Sequence, residues 1–226
     1  GNRHGLLLIT SPTSLSNSVR TPLTTYKNGI TRVEILGGAG SIPRAREIEI
    51  ANLLRTPIMG ASQTTVNQMV ANWNAVQKTY PAVYASKGAA TINDFCALVL
   101  LEANREGVRA EILFAQAMKE TGWLQFGGSV KVEQCNFGGL GATSPTVGGA
   151  VFPDVQTGLR AQAQHLKAYA STEPLATTCV DPRFNLVSPR GVAPYIEQLN
   201  GRWAVPGTNY GEDIARQIRQ LFIYPR

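Results

Sequence analysis

One stretch of the chain leaves little freedom about what must surround it. Residues 110–118 (AEILFAQAM) are apolar on nearly every face of a helix. A helix with a single apolar stripe lies on a core, whereas one that is apolar almost all round has to be enclosed by other elements. The sequence can supply that enclosure: 226 residues, 43% apolar and only 16% charged, are enough for a large buried core and too apolar for a disordered chain.

Helical spacing recurs on both sides of this stretch. Val66, Met69, Val70, Trp73 and Val76 form one stripe. Thr91-Ile92-Asn93-Asp94 is a capping-box start, with Asp94 in place of the usual Glu. It precedes an apolar helix through Phe95, Val99 and Ala103 that stops at Gly107. Asp154 is placed to cap a helix carrying Val155, Leu159, Ala163, Leu166 and Ala170, and Ile214, Ile218, Leu221 and Phe222 form the last helix. Glycine-rich loops at 122–128, 136–149 and 200–211 separate these helices, and loops so placed are where functional groups are expected.

Residues 1–56 have another rhythm. Leu6-Leu7-Leu8-Ile9-Thr10 and Thr31-Arg32-Val33-Glu34-Ile35-Leu36 are strand candidates. A helix with Leu15, Val19 and Leu23 lies between them. A second helix, capped by Ser41 and started by Pro43, carries Ile50, Leu53 and Leu54. The spacing predicts a small β-α-β-α segment that is too short to fold well alone. Gly37-Gly38-Ala39-Gly40 has neither GxGxxG nor GK[ST] spacing, so it reads as a tight turn rather than a phosphate loop.

The formal charge of +6 favours anionic partners, but Lys and Arg are scattered rather than clustered, which argues against nucleic acid. No run reaches the roughly 20 apolar residues of a transmembrane helix. The start, Gly1-Asn2-Arg3-His4, is neither a signal peptide nor an initiation site. The sequence therefore reads as a piece of a longer protein, and its lack of a targeting segment says nothing about compartment. Cys96, Cys135 and Cys179 are odd in number and contain no CxxC pair, so no disulfide framework or metal site is read from them. Cys96 reads as core, and a Cys135–Cys179 bridge stays open. There is no HExxH and no nucleophile elbow, so neither a metal nor another cofactor is expected.

The chemistry centres on Lys119-Glu120-Thr121-Gly122-Trp123, where the buried helix ends. Glu120 lies in the last turn and Gly122 is placed to terminate it. The partial negative charge of the helix end and the apolar surroundings both disfavour a carboxylate, so the group is expected to hold its proton to higher pH. Such an acid is what protonation of a glycosidic leaving oxygen requires. Taken alone, Glu120 reads more readily as a surface acid at a frayed helix end. Trp123 and Phe126 shift the balance toward sugar binding, although core packing accounts for them as well. Glu111 falls on the opposite helix face and cannot be a partner acid. Asp154 reads first as a cap, and Glu133, Asp181 and Asp213 are loop or helix-start acids. His165, with Tyr169 one turn on, reads as a hydrogen-bonded structural histidine.

The runs EGVRAEILFAQAMKETGWLQFGG, CNFGGLGA, GLRAQAQHLKAYA, CVDPRF and YGEDIARQI, in order from about residue 58 to residue 222, resemble the catalytic domain of clostridial-type peptidoglycan endo-β-N-acetylglucosaminidases of the lysozyme superfamily. The resemblance implies a mainly α, two-lobed lysozyme-like domain at 57–226. It also implies cleavage of the β-1,4 bond between N-acetylglucosamine and N-acetylmuramic acid. It makes Glu120 the general acid, and places Asn136-Phe137-Gly138 and Tyr210 in the cleft. Residues expected to hold substrate are Gln116, Trp123, Phe126, Asn136, Phe137, Tyr195 and Tyr210. Relatives often carry a second glutamate where this chain reads Thr146-Val147-Gly148-Gly149-Ala150, and a cleft tyrosine where it reads Asp181-Pro182-Arg183-Phe184. Two mechanisms stay open. In one, the substrate's own acetamido group assists while Tyr195 or Tyr210 steadies it; in the other, a distal acid, Asp154 or Asp181, activates water.

The run LLLITSPTSLSNSV…ITRVEILGGAGSIP resembles part of a clostridial-type cell-wall-binding repeat over residues 1–52. That likeness implies attachment to anionic wall polymers and a secreted, cell-surface protein. A lytic transglycosylase and a non-catalytic wall-binding module are the competing readings.

Overall fold

The computed structural model describes residues 8–27, 30, 33–38, 40–142, 144 and 148–226. The chain divides into two compact units, residues 1–55 and 56–226.

The first unit holds α1 (Asn17–Thr25) and α2 (Arg44–Leu54). Their apolar faces meet in a small core of Leu15, Val19, Leu23 and Ile50, flanked by Leu8, Ile30, Leu53 and Leu54. Glu49 of α2 takes ion pairs from Arg20 of α1 and from Arg46. The two helices lie where the spacing of apolar residues put them. The strand stretches differ: residues 8–10 and 33–36 carry no ladder, and residues 6, 7, 31 and 32 lie outside the described residues. Two short strands alone gain too little to hold a sheet.

The second unit is helical: α3 (Val66–Ala75), α4 (Ile92–Glu106), α5 (Ala110–Thr121), α6 (Val155–Ala170) and α7 (Tyr210–Leu221), joined by loops and short 3₁₀ turns. Helix α4 packs on α3, α5 and α6, and α5 packs on α7. Every residue from Ala110 to Met118 is buried, as its all-round apolar character requires. Fully enclosed Ile112, Leu113, Phe114 and Met118 each contribute about 1.5–3 kcal/mol.

The helix ends follow local chemistry. Thr91 and Asp94 form the reciprocal capping box of α4, and Gly107 closes that helix in the left-handed conformation at φ 74°. Asp154 accepts the Thr157 amide at 2.7 Å and starts α6. Farther along α6, Gly158 permits a contact that no other residue would allow. A Cβ there would lie 1.8 Å from the carbonyl oxygen of Cys135, so the helix rests directly on the backbone that leads into the 136–149 loop.

Two buried acids on α4 tie this frame together. Glu102 binds the Arg160 guanidinium at 2.9 Å. Glu106 accepts from Lys167 at 3.2 Å and from the amides of Ala176 and Thr177 at 2.9 and 3.1 Å. These bonds fasten α4 to α6 and to the segment after it.

Candidate active site

The end of α5 is shaped by a left-handed run. Gly122 takes φ 57°, and Trp123, Leu124 and Phe126 follow at 63°, 61° and 58°. For a residue with a Cβ this conformation costs about 1–3 kcal/mol. It is held by the Trp123 amide on Met118 O at 2.8 Å and the Leu124 amide on Thr121 Oγ1 at 2.9 Å. The Thr121 hydroxyl in turn donates to Ala117 O at 2.7 Å. Leu124, 1% exposed, adds its burial. The chain thus turns off the helix immediately after Glu120 and leaves that carboxyl at an open edge.

Glu120 lines a cleft of about 510 Å³ together with Phe126, Gly139, His165, Arg183 and Trp203. One side of the side chain is exposed to the cleft. Protein mass crowds its other sides and withholds solvation, which pushes its pKa up. A hydrogen bond from Tyr210 and the charge of Lys119 pull the other way without cancelling that effect. The Tyr210 hydroxyl donates to Glu120 Oε1 at 2.5 Å. Behind it, Gln116 Nε2 donates to the Tyr210 oxygen at 2.9 Å, and Gln162 Nε2 donates to Gln116 Oε1 at 2.8 Å. All three side chains are buried. Because Gln116 fills the acceptor side of the phenol, the phenolic proton is committed to the carboxyl group. Burial and the neighbouring Glu120 raise the Tyr210 pKa well above its usual range, so the hydroxyl keeps that proton.

Tyr210 is fixed by the first turn of α7. The backbone of Gly211 presses so closely on the preceding loop that a Cβ there would lie 2.2 Å from Ile196 O, and its amide donates to Asn200 Oδ1 at 2.7 Å. The other carboxyl oxygen of Glu120 meets the glycine loop: a Cβ on Gly139 would stand 3.4 Å from Oε2.

A second cluster belongs to α6 and the loops after it. His165 Nδ1 meets Asp181 Oδ2 at 2.7 Å, and Asp181 Oδ1 accepts the Arg183 amide at 2.9 Å. The imidazole stands edge-on to Trp203 at 4.9 Å and to Tyr169 at 5.3 Å. Trp203 Nε1 donates to Gly138 O at 3.2 Å, which ties the 200–211 loop to the 136–149 loop.

The residues singled out in the sequence are thus distributed unevenly. Glu120 and Phe126 line the cleft. Tyr210 and Gln116 stand behind Glu120, orienting it rather than facing the cleft. Asn136 is buried and clamps the glycine loop through both backbone groups of Leu140, at 2.9 and 2.8 Å. Phe137 corrects the expectation of a sugar contact. It is fully enclosed, edge-on to Phe95 at 5.1 Å and Tyr84 at 5.7 Å, because its side chain turns inward where that of Asn136 turns to the loop.

Trp123 packs half-buried on the core outside the cleft lining, and Tyr195 pairs its backbone with Pro57 away from it. Asp154 is spent as a helix cap. Asp181 is 4% exposed with both oxygens engaged, so neither reaches the cleft as a free acid. Among the described residues, Glu120 is the one acid that lines the cleft. Trp203, Tyr169 and Arg183 also line it and were missed. The signals for them were a tryptophan inside a glycine-rich loop and a tyrosine one helical turn from His165.

The three cysteines are free thiols, Cys96 and Cys135 being buried. Among the described residues no three His, Cys, Asp or Glu side chains cluster as metal ligands, and no helix is long and apolar enough to cross a membrane.

A family model described as Glucosaminidase, mannosyl-glycoprotein endo-beta-N-acetylglucosaminidase, matches residues 96–222. An uncharacterized protein of Borreliella burgdorferi is 44% identical over 113 residues, 50% of this chain and 55% of that relative. The chain therefore spans about half the length of the curated relative it matches. No solved structure matches.

Proposed function

This chain belongs to the glucosaminidase family of glycoside hydrolases, and we propose that it cleaves the glycan strands of peptidoglycan between N-acetylglucosamine and N-acetylmuramic acid with Glu120 as general acid. The observation that carries the reading is the setting of one carboxyl group. Glu120 stands at the end of an enclosed helix, exposed to the cleft yet crowded enough by protein to raise its pKa, and is held at Oε1 by a buried donor. With Tyr210 on Oε1, Oε2 beside the glycine loop is the oxygen that carries the proton to the leaving glycosidic oxygen.

The absence of a second acid in the described cleft lining favours substrate assistance over a two-carboxylate route. In that path the acetamido oxygen attacks the anomeric carbon as Glu120 protonates the departing oxygen. Glu120, now ionised, then takes a proton from the water that opens the cyclic intermediate, so the anomeric configuration is retained. In this reading the repeat-like N-terminal segment adds attachment to anionic wall polymers, and the protein works at the cell surface, where its substrate lies.

Digestion of purified sacculi tests the reading. New reducing N-acetylglucosamine ends should appear with the parent chain and vanish with Glu120→Gln, while sedimentation with sacculi persists. Anhydromuramic ends would mark a transglycosylase instead, and a parent chain that releases nothing would leave only wall binding. Inversion at the anomeric carbon, followed by NMR in early turnover, would eliminate the assisted route.

A further inference from the structure

Arg183 lines the cleft in an unusual state. It is half-buried, its stem passes Gly141 (a Cβ there would lie 3.8 Å from Arg183 Cδ), and its own amide is pinned on Asp181. Yet among the described residues its guanidinium forms no ion pair and no hydrogen bond. Arg105, Arg160 and Arg216 each meet a carboxylate. A partly desolvated cation without a counter-charge is unfavourable, and an anion arriving in the cleft removes that penalty.

Arg202 lines the same cleft and spends one N–H on Gln198 O at 3.1 Å. Burial pushes the Tyr169 pKa up and Asp181 adds to it, while the charges of Arg183 and Arg202 pull it down; the cation acting on Glu120 is Lys119. The two arginines therefore stand near Tyr169, in the same cleft as Glu120. Beside them the rings of Tyr169 and Trp203, with centroids 6.0 Å apart, offer apolar faces suited to a pyranose ring. When Glu120 holds its proton, the side chains of the described cleft lining carry only positive formal charge.

We infer that Arg183, with Arg202 beside it, forms a subsite for the carboxylate of an acidic saccharide and sets the preference for acidic over neutral glycan. This rests on the glycan-hydrolase reading above and names the substrate feature it selects. The carboxylate has two sources in a wall glycan, the lactyl ether of muramic acid and the peptide attached to it.

Equilibrium binding separates these sources. The full chain carrying Glu120→Gln, which stops turnover, is titrated calorimetrically with three tetrasaccharides. One is neutral chitotetraose, one an alternating glucosamine–muramic acid strand stripped of peptide, and one the same strand with its peptides. At least one acidic ligand should bind about tenfold or more tightly than the neutral one, as expected for a charge-assisted fork. Adding Arg183→Gln should bring that ratio close to one, and Arg183→Lys should restore part of it, a point charge replacing the fork. The arm in which the ratio collapses identifies the carboxylate.

Equal affinity for neutral and acidic ligands, no binding of either acidic ligand, or an unchanged ratio in the Arg183→Gln chain overturns the inference. Failure of the parent chain to cut sacculi would sink the hydrolase reading without altering these ratios, so the two failures are distinguishable.

Discussion

Tyr210→Phe deletes one oxygen atom from the buried row behind Glu120 and leaves the ring, with Lys119 5.5 Å above it, in place. Two bonds go: Gln116 Nε2 loses its acceptor at 2.9 Å, and Glu120 Oε1 loses its donor at 2.5 Å. Gln116 is fully buried, so its stranded donor costs about 1–3 kcal/mol. For a chain of this size each kcal/mol lowers the melting midpoint by about 2–4 °C.

The loss at Glu120 falls mainly on its ionised form, which the Tyr210 donor stabilises more than the protonated one. Tyr210 is one of the influences lowering that pKa, so its removal lets desolvation raise it further above the ordinary 4.5. A group whose folded pKa is raised contributes its stability below the unfolded pKa and loses it as pH rises through the folded pKa. The stability deficit of the variant should therefore be smaller in acid than at neutral pH.

In activity the same change has another sign. The basic limb of kcat/KM, where Glu120 gives up its proton, should move to higher pH. The maximum should fall by roughly ten- to a hundredfold, because the carboxyl group is no longer oriented. Rate profiles on soluble peptidoglycan fragments from about pH 4 to about pH 9, with thermal melts of the same samples, test both effects. A basic limb that stays put or moves to lower pH in a folded variant would refute the assignment of Tyr210 as donor to the carboxylate.

Two further substitutions probe the frame. Gly158→Ala, which would stabilise an ordinary helix interior by about 0.5–1 kcal/mol, should here destabilise by at least about 1–3 kcal/mol, since the new Cβ meets Cys135 O at 1.8 Å. Urea melts showing equal or greater stability would contradict the close approach. Glu106→Gln leaves Lys167 buried without its counter-charge and should cost about 3–5 kcal/mol at neutral pH. Desolvation raises the Glu106 pKa, but bonds from Thr177, Ala176, Lys167 and Gln164 outweigh it and hold the group below its ordinary 4.5. That contribution is present above 4.5 and lost as pH falls below it, so parent and variant should converge in acid. A gap that stays constant into acid would show that the carboxylate is not what the network holds.

What the sequence disclosed was local. The Thr91–Asp94 box, the Asp154 cap and the stops at Gly107 and Gly122 each depend on residues within a turn of one another, and each lies where the spacing put it. The placement of Glu120 at the end of an enclosed helix was legible for the same reason. What surrounds Glu120 was not. Gln116 and Tyr210 meet across 94 positions, and nothing in either neighbourhood announces the other.

Asn136 and Phe137 are adjacent, yet one clamps a loop and the other fills the core, a choice made by tertiary packing. Asp181 looked like a free loop acid because its partner, His165, lies on another element. The stretch Asp181-Pro182-Arg183-Phe184 was read only for the tyrosine hydroxyl it lacks, when Arg183 within it brings a charge to the cleft. The strand expectation differed over the described residues 8–10 and 33–36 because an apolar run or alternation reports a preference for extended backbone, not the presence of a neighbour to pair with.

The left-handed run after α5 bears on how such a protein can diverge. The bonds that end the helix run among residues 117–126, so the proton donor and the stop that exposes it travel as one short cassette. The groove beside that cassette is assembled from distant segments, among them the loops around Gly139, Arg183 and Trp203. Insertions and exchanges in those segments can redirect the molecule toward a different polymer while the reactive end stays intact. Selection for what is cut then falls mainly on stretches of the gene outside the one that encodes the proton donor.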